Sequence, residues 1–363
     1  MAAEDRWEVL AESFHRFAED QARGRSRLYQ HLASAIIGTD VASLLLEAPI
    51  EQRRPNLLLA AVHDLLLRGI EHPLARYYPS VGGWREPDEQ LLATFRDFCT
   101  WHEDVLRGLV STRNTQTNEV RRCAALLPAL RRAARQASAP LTIVEVGASA
   151  GLNLLMDRFA YRYDDLLVGP DDAALVIDCA LRNGTPPPLN TALSSARRVG
   201  IDLHPLDVHD ADHARWLRAC VWPEHLDRLH LLAAAIAVAQ REPPELVAGH
   251  ALEALPEVVA TLPAGTELCV FNSATLAYFS QAERGAFVDL IESLSTDRPV
   301  WWVSLEAAFI EPFDWRASTT FQEAVEGLTY LITLTRMAGG CRVDDHLLGR
   351  SDPHGRWIEW IAD

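Results

Sequence analysis

The chain has 363 residues, enough for one large domain or two ordinary ones, and its 48% hydrophobic and 23% charged residues give an ordinary globular balance. Its formal net charge of −16 argues against a broad cationic footprint for nucleic acid or for an anionic membrane surface. All 34 basic residues are arginine, which excludes chemistry built on a lysine amine: Schiff bases, pyridoxal-phosphate aldimines and phosphate-loop lysines.

Six scattered cysteines with no C-x-x-C pair predict a reducing, cytoplasmic setting. The acidic start MAAEDRWEVL carries no signal-peptide core, and the longest apolar helical stretch, from Leu229, is too short to span a bilayer. The expected partner is therefore a small molecule, not nucleic acid or membrane. The sequence sets no oligomeric state.

Residues 1–138 read as helices: 7–21, 28–37, 56–67 after Pro55, 89–109 and 119–136. Residues 71–86, with two prolines and a Gly-Gly pair, read as a loop; Tyr77, Tyr78 and Trp84 there are candidates for a lid or for a staple between helices. From Leu141 the texture changes. The short apolar runs IVEV, ALVIDC, RVGIDL, ELVAGHA, ELCVFN, PVWWVSLE and LTYLITLTR alternate with helical patterns at 152–159, 210–219, 224–240, 252–261 and 281–293. That alternation predicts an α/β domain over 139–363, a doubly wound and mostly parallel sheet, behind an all-helical domain over 1–138. Residues 161–190 read as an inserted hairpin or loop. The tail CRVDDHLLGRSDPHGRWIEWIAD reads as two strands about the turn SDPHG, forming the sheet's antiparallel edge.

The stretch LTIVEVGASAGLN at 141–153 carries most of the functional signal. It is a strand, a tight turn and a helix start, the place where α/β folds bind ligands. As G-x-S-x-G it fits a nucleophile elbow, with Ser149 as nucleophile, His354 as base and Asp345 or Asp352 as orienter. As E-x-G-x-x-x-G it fits a cofactor loop. The helical first third, the absence of a Gly-rich oxyanion segment, and Glu145 and Asp202 favour the second. Asp202 closes the next ligand-type strand, where a carboxylate can accept from both hydroxyls of a ribose. Glu145, Asp202, His250, Asn272 and Glu306 fall at carboxyl ends of successive strands and are expected along one crevice. Asn118 and Glu119, at the start of the helix leading into the first strand, are expected over it.

This part of the chain resembles the class I S-adenosylmethionine (SAM)-dependent methyltransferases. The full length resembles an uncharacterised bacterial family, a domain of unknown function, through RRPNLLLAAVHDLLLRG, HPLARYYPSVGG, TNEVRRCAALLP, EVGASAGLN, FNSATLAY and LLGRSDPHGRWIEW. The resemblance implies a Rossmann-like SAM-binding domain and methyl transfer to a small acceptor. It assigns Glu145, Gly147, Ala148, Ser149, Gly151, Asn153, Asp202, His250, Asn118 and Glu119 to the cofactor, and Asn272, Tyr278 and Glu306 to the acceptor. His250 stands where the methyltransferase pattern has Asp, and Asn272 where the bacterial family has His. These departures keep open a non-catalytic SAM or nucleoside sensor. A run of His204, Asp207, His209, Asp210, Asp212 and His213 has metal-like spacing at 209 and 213, but with no third ligand evident it reads as a solvated helix start.

Overall fold

The computed structural model describes residues 3–189, 192–193, 195–310 and 329–362. They form two compact units, residues 1–117 with 209–230 and residues 118–208 with 231–363. The division differs from the expected cut at 138/139. The helix leading into the first strand belongs with the sheet, and residues 209–230 belong with the helices.

The first unit holds α1 (Ala3–Arg16), α2 (Arg27–Ile36), α3 (Pro55–Leu67), α4 (Leu91–Trp101) and α5 (Glu103–Thr112). After α6 (Cys123–Gln136) of the second unit, it also holds α7 (Ala211–Ala219). The expected helix over 89–109 is broken at His102, so α4 and α5 are separate. Pro55 starts α3 without losing a bond, and Ser26 caps α2 by accepting from the Tyr29 amide at 3.0 Å. Buried Asp64 is held by Arg68 at 2.8 Å and Arg215 at 2.9 Å. Burial lowers the His63 pKa to about 4, so the ring is neutral. Its Nδ1 donates to the Ala219 carbonyl at 3.0 Å, and its Nε2 accepts from the Ser80 hydroxyl at 2.7 Å. Tyr77 and Tyr78 are buried staples in this unit, whereas Trp84 is 73% exposed.

The second unit is built on an eleven-stranded sheet. Its strands are β1 (Leu141–Val146), β2 (Ala160–Tyr163), β3 (Leu166–Val168), β4 (Val176–Leu181), β5 (Ser195–Asp202), β6 (Glu245–Ala248), β7 (Glu267–Ser273), β8 (Val300–Ala307), β9 (Tyr330–Ala338), β10 (Cys341–Ser351) and β11 (Trp357–Trp360). The order across the sheet is β3-β2-β4-β11-β10-β9-β8-β7-β1-β5-β6. The five strands β6-β5-β1-β7-β8 are all parallel. From β1 the chain winds outward to β5 and β6, then returns to β7 on the other side. The order reverses at β1, and such a reversal opens a crevice at the strands' carboxyl ends.

β1 is buried on both faces, as its unbroken apolar run requires. Val144, Val146, Val199, Ile201, Val270 and Trp302 pack one face against α9 (Ala251–Ala260) and α10 (Gln281–Leu294). α6 packs against β8 and β9. Among the described residues α8 (Leu226–Arg241) is the remaining α-helix.

The tail forms the expected antiparallel hairpin of β10 and β11, but it is not the sheet's edge. β11 continues into β4 in parallel, and β4 into β2. The expected insertion over 161–190 is thus part of the main sheet, and its β3, antiparallel to β2, is the edge. Backbone donors on β11 and β4 find each other across a long sequence gap, which periodicity cannot register.

Candidate functional site

The turn after β1 is made by three left-handed residues, Gly147 (φ 78°), Ser149 (φ 54°) and Gly151 (φ 69°). The amides of Gly147 and Ala148 donate to the Ile201 carbonyl at 2.8 and 3.1 Å, folding the turn over the end of β5. The Ser149 amide donates to Asp202 Oδ2 at 2.7 Å, and the His204 amide to Oδ1 at 2.9 Å. Half-buried Asp202 therefore sits beside the turn, as its place at the end of β5 predicts. The glycines also serve packing. A Cβ on Gly147 would lie 2.2 Å from Thr275 Oγ1, and one on Gly151 would lie 2.8 Å from Pro244 Cγ. Beside the turn, Ala150, Pro205, Leu206, Val208, Pro244 and Leu246 line much of an apolar cleft of ≈ 240 Å³.

Glu145 is 1% exposed, and burial raises its pKa well above the ordinary carboxyl value. Asn153 donates to its Oε1 at 3.2 Å, and Cys123 Sγ donates to Asn153 Oδ1 at 3.2 Å. Asn118 does not reach outward. Its Oδ1 accepts from the Leu152 amide at 3.2 Å, supplying from a distant segment the cap that Gly151 cannot. Glu119 Oε2 lies 3.4 Å from His354 Nδ1.

The residues assigned to the acceptor separate. Asn272 and Glu306 are both fully buried. Asn272 donates to Glu306 Oε1 at 2.8 Å and to Ser304 Oγ at 3.2 Å, and it accepts from Trp302 Nε1 at 2.7 Å. The amides of Thr275 and Leu276 also donate to Glu306 Oε1, at 2.7 and 3.0 Å. Glu306 thereby ties the end of β8 to the turn after β7, and burial raises its pKa. Tyr278, by contrast, is 59% exposed. His250 is half-buried and caps α9; it stacks on Phe279 at 5.8 Å and lies 3.3 Å from Glu283. The expected single crevice thus divides into a sealed set, Glu145, Asn272 and Glu306, and an accessible pair, Asp202 and His250.

The hydrolase arrangement is not assembled. Ser149 is 6% exposed, and its Oγ has no hydrogen-bond partner among the described residues. Asp352 accepts from Arg356 at 2.8 Å, and Asp345 pairs with Arg342 at 3.0 Å. In the His/Asp run, Asp210 caps α7 by accepting from the Asp212 and His213 amides. Among the described residues no group of three His, Cys, Asp or Glu is placed to hold a metal ion.

A family described as "Uncharacterized protein conserved in bacteria (DUF2332)" matches residues 11–360. The chain belongs to this family. No curated protein matches it. A solved structure of a bifunctional kinase-methyltransferase, WbdD, is similar at 16% identity with a TM-score of 0.24, over 60% of this chain and 33% of that one. The chain thus spans about a third of that protein's length, and at this score the likeness bears on neither fold nor chemistry.

In this DUF2332 member the segment before α6 meets the turn between β10 and β11. A Cβ on Gly355 would lie 2.5 Å from the Arg121 carbonyl, and Arg122 Nε donates to the Pro353 carbonyl at 2.8 Å. Sequence reasoning passed over Arg122. It is 7% exposed, with Nη1 3.5 Å from the Ser273 carbonyl and its guanidinium 5.7 Å from the Tyr330 ring. A signal was present: Arg122 falls in helical step with the buried Leu126 and Leu130, so a charge lies on an apolar stripe.

Proposed function

We propose that this protein is a SAM-dependent methyltransferase, or a related SAM-using enzyme, acting on a small molecule in a Rossmann-like domain. The observation that carries the reading is the pairing of the β1 turn with Asp202. In the parallel order β6-β5-β1-β7-β8, the turn lies where the order reverses, and its Ser149 amide holds the carboxylate at the end of the neighbouring strand.

The residues fit such a cofactor. Asp202 is half-buried, and the buried Oε2 of Glu145 and Oγ of Ser149 have no hydrogen-bond partner among the described residues. Asp202 would hold the ribose, and Gly147, Ala148, Ser149 and Gly151 the remainder. Bound SAM supplies an electrophilic methyl group on a sulfonium. The chain's own work is to align an acceptor and exclude water. Tyr278, exposed on the turn after β7, suits acceptor contact. Asn272 and Glu306 position that turn from beneath, and as placed they do not themselves meet an acceptor.

Titration calorimetry with SAM and with S-adenosylhomocysteine tests the reading; saturable binding of both is expected, and binding of neither overturns it. The burial of Asn272 and Glu306 also favours a second reading, a SAM or nucleoside sensor without turnover. Binding of both ligands, with no methylated product across metabolite pools, would select the sensor. Labelling of Ser149 by a fluorophosphonate would instead select the hydrolase, whose nucleophile turn the left-handed Ser149 resembles.

A further inference from the structure

The turn between β10 and β11 is fixed from several sides. Asp352 Oδ1 accepts from the His354 and Arg356 amides at 2.9 and 3.3 Å, and Arg356 pairs with Asp352 Oδ2 at 2.8 Å. Gly355 fits against the Arg121 carbonyl because it has no side chain, and Arg122 Nε holds the Pro353 carbonyl. The turn thereby sets His354 against Glu119, with Nδ1 3.4 Å from Oε2. The imidazole side chain is 32% exposed and the carboxylate side chain only 4%. Glu119 is itself oriented, since its Oε1 accepts from the Arg121 amide at 3.3 Å. The flanking residues tie the pair to the carboxyl ends of the sheet: Asn118 caps the segment after the β1 turn, and Arg122 Nη1 lies 3.5 Å from the Ser273 carbonyl at the end of β7.

A buried carboxylate behind a partly exposed imidazole is the arrangement of a general base. The carboxylate orients the ring and steadies the imidazolium, and the other ring nitrogen takes the proton. We propose that His354, oriented by Glu119, is the proton acceptor for the methylated substrate, and that the substrate atom is a hydroxyl oxygen. The proposal rests on the SAM reading above and names the acceptor class. A hydroxyl keeps its proton at neutral pH and needs a base, whereas a carboxylate acceptor needs none. An ammonium also keeps its proton, but the buried charge of Arg122 beside this turn opposes a cation and favours an oxygen that is becoming negative. The acceptor oxygen bonds to the methyl carbon as the carbon–sulfur bond breaks. The electron pair of that bond stays on sulfur, and the hydroxyl proton passes to His354 Nε2. The charged groups about the ring are Glu119, Arg121 and Arg122 from the segment before α6, and Asp352 and Arg356 from its own turn. Asp352 and Arg356 offset each other, which leaves Glu119 as the anion that steadies the protonated ring.

Two readouts on the full-length protein test the proposal. Diethyl pyrocarbonate acylates neutral imidazole, so its rate at His354, mapped by peptide mass across pH, follows deprotonation of the ring. The midpoint should fall by about one pH unit in Glu119→Gln. A wild type in which His354 is not labelled, or a midpoint that Glu119→Gln leaves in place, overturns the base pair whether or not SAM binds. In the second readout, SAM and a metabolite pool should give a product methylated on oxygen. His354→Ala should lower kcat about a hundredfold with the KM for SAM changed by less than about threefold, and added imidazole should restore part of the rate. A product methylated on nitrogen or sulfur overturns the acceptor class. Wild-type kcat in His354→Ala, or a deficit that imidazole leaves unchanged in the folded variant, overturns the role of His354. If SAM does not bind, the cofactor reading falls and this transfer with it; if SAM binds and no product forms, only this proposal falls.

Discussion

Buried acids set the behaviour of single residues in the sheet unit. Glu145 and Glu306 are removed from water, and burial lifts both pKa values above the ordinary carboxyl value of about 4.3. Above that pH the folded chain holds protons that the unfolded chain has released. Stability therefore falls as pH rises from about 4.3 toward the raised folded values and levels off beyond them. The expected outcome is that, above about pH 5, the urea midpoint of Glu145→Gln falls less with rising pH than that of the wild type does. An identical slope in the variant would show that Glu145 is not held protonated. Glu145, Asn272 and Glu306 were legible as strand-end polar residues. Their sealing was not, because solvent access at a strand end depends on turns donated by β7 and on segments far along the chain.

At the scale of elements, the turn after β1 couples two strands through one close approach. Gly147 has a left-handed φ of 78°, and its missing Cβ leaves room for the Thr275 side chain. Thr275 Oγ1 in turn donates to the Val146 carbonyl at 3.1 Å. Gly147→Ala should destabilise the protein by about 3 kcal/mol, combining left-handed strain with the displacement of Thr275. Thr275→Gly removes the obstructing atoms. A double-mutant cycle by urea unfolding should then show a coupling of about 1 kcal/mol, and strict additivity would mean the contact does not limit the turn. The need for glycine was legible here, yet it pointed to a ligand alone, because a sequence motif does not distinguish backbone room for a cofactor from room for another side chain.

For the whole molecule, the helical unit is not a contiguous stretch of sequence. Residues 209–230 supply Arg215 to Asp64, Trp222 to the rings of Phe17 and Tyr29, and Glu224 to Ser26 and the Leu28 amide. A fragment ending at residue 117 would leave Asp64 without one of its arginines and uncover two aromatic side chains. Such a fragment should show no cooperative thermal transition by circular dichroism, whereas one carrying 209–230 on a linker should regain it. Cooperative unfolding of the shorter fragment would make that return segment dispensable. The boundary at 138 was drawn where texture changes from helical to alternating. Compactness follows contacts instead, and those place α6 with the sheet it covers.

Sequence alone determined the kinds of element and their order, because hydrophobic period and turn chemistry are local properties of a few residues. It also determined the family, since the match runs through residues 11–360. It located the β1 turn and its partner Asp202, because a strand-end carboxylate and a glycine turn are both written in short segments. The tertiary structure decided that the tail hairpin lies inside an eleven-stranded sheet, that 209–230 returns to the helices, and that Arg122 is buried with its charge unpaired among the described residues. Each of these depends on groups brought together across long stretches of chain. Pairing and burial are properties of that closure, and no local pattern of residue types encodes which distant donor, acceptor or charge will meet.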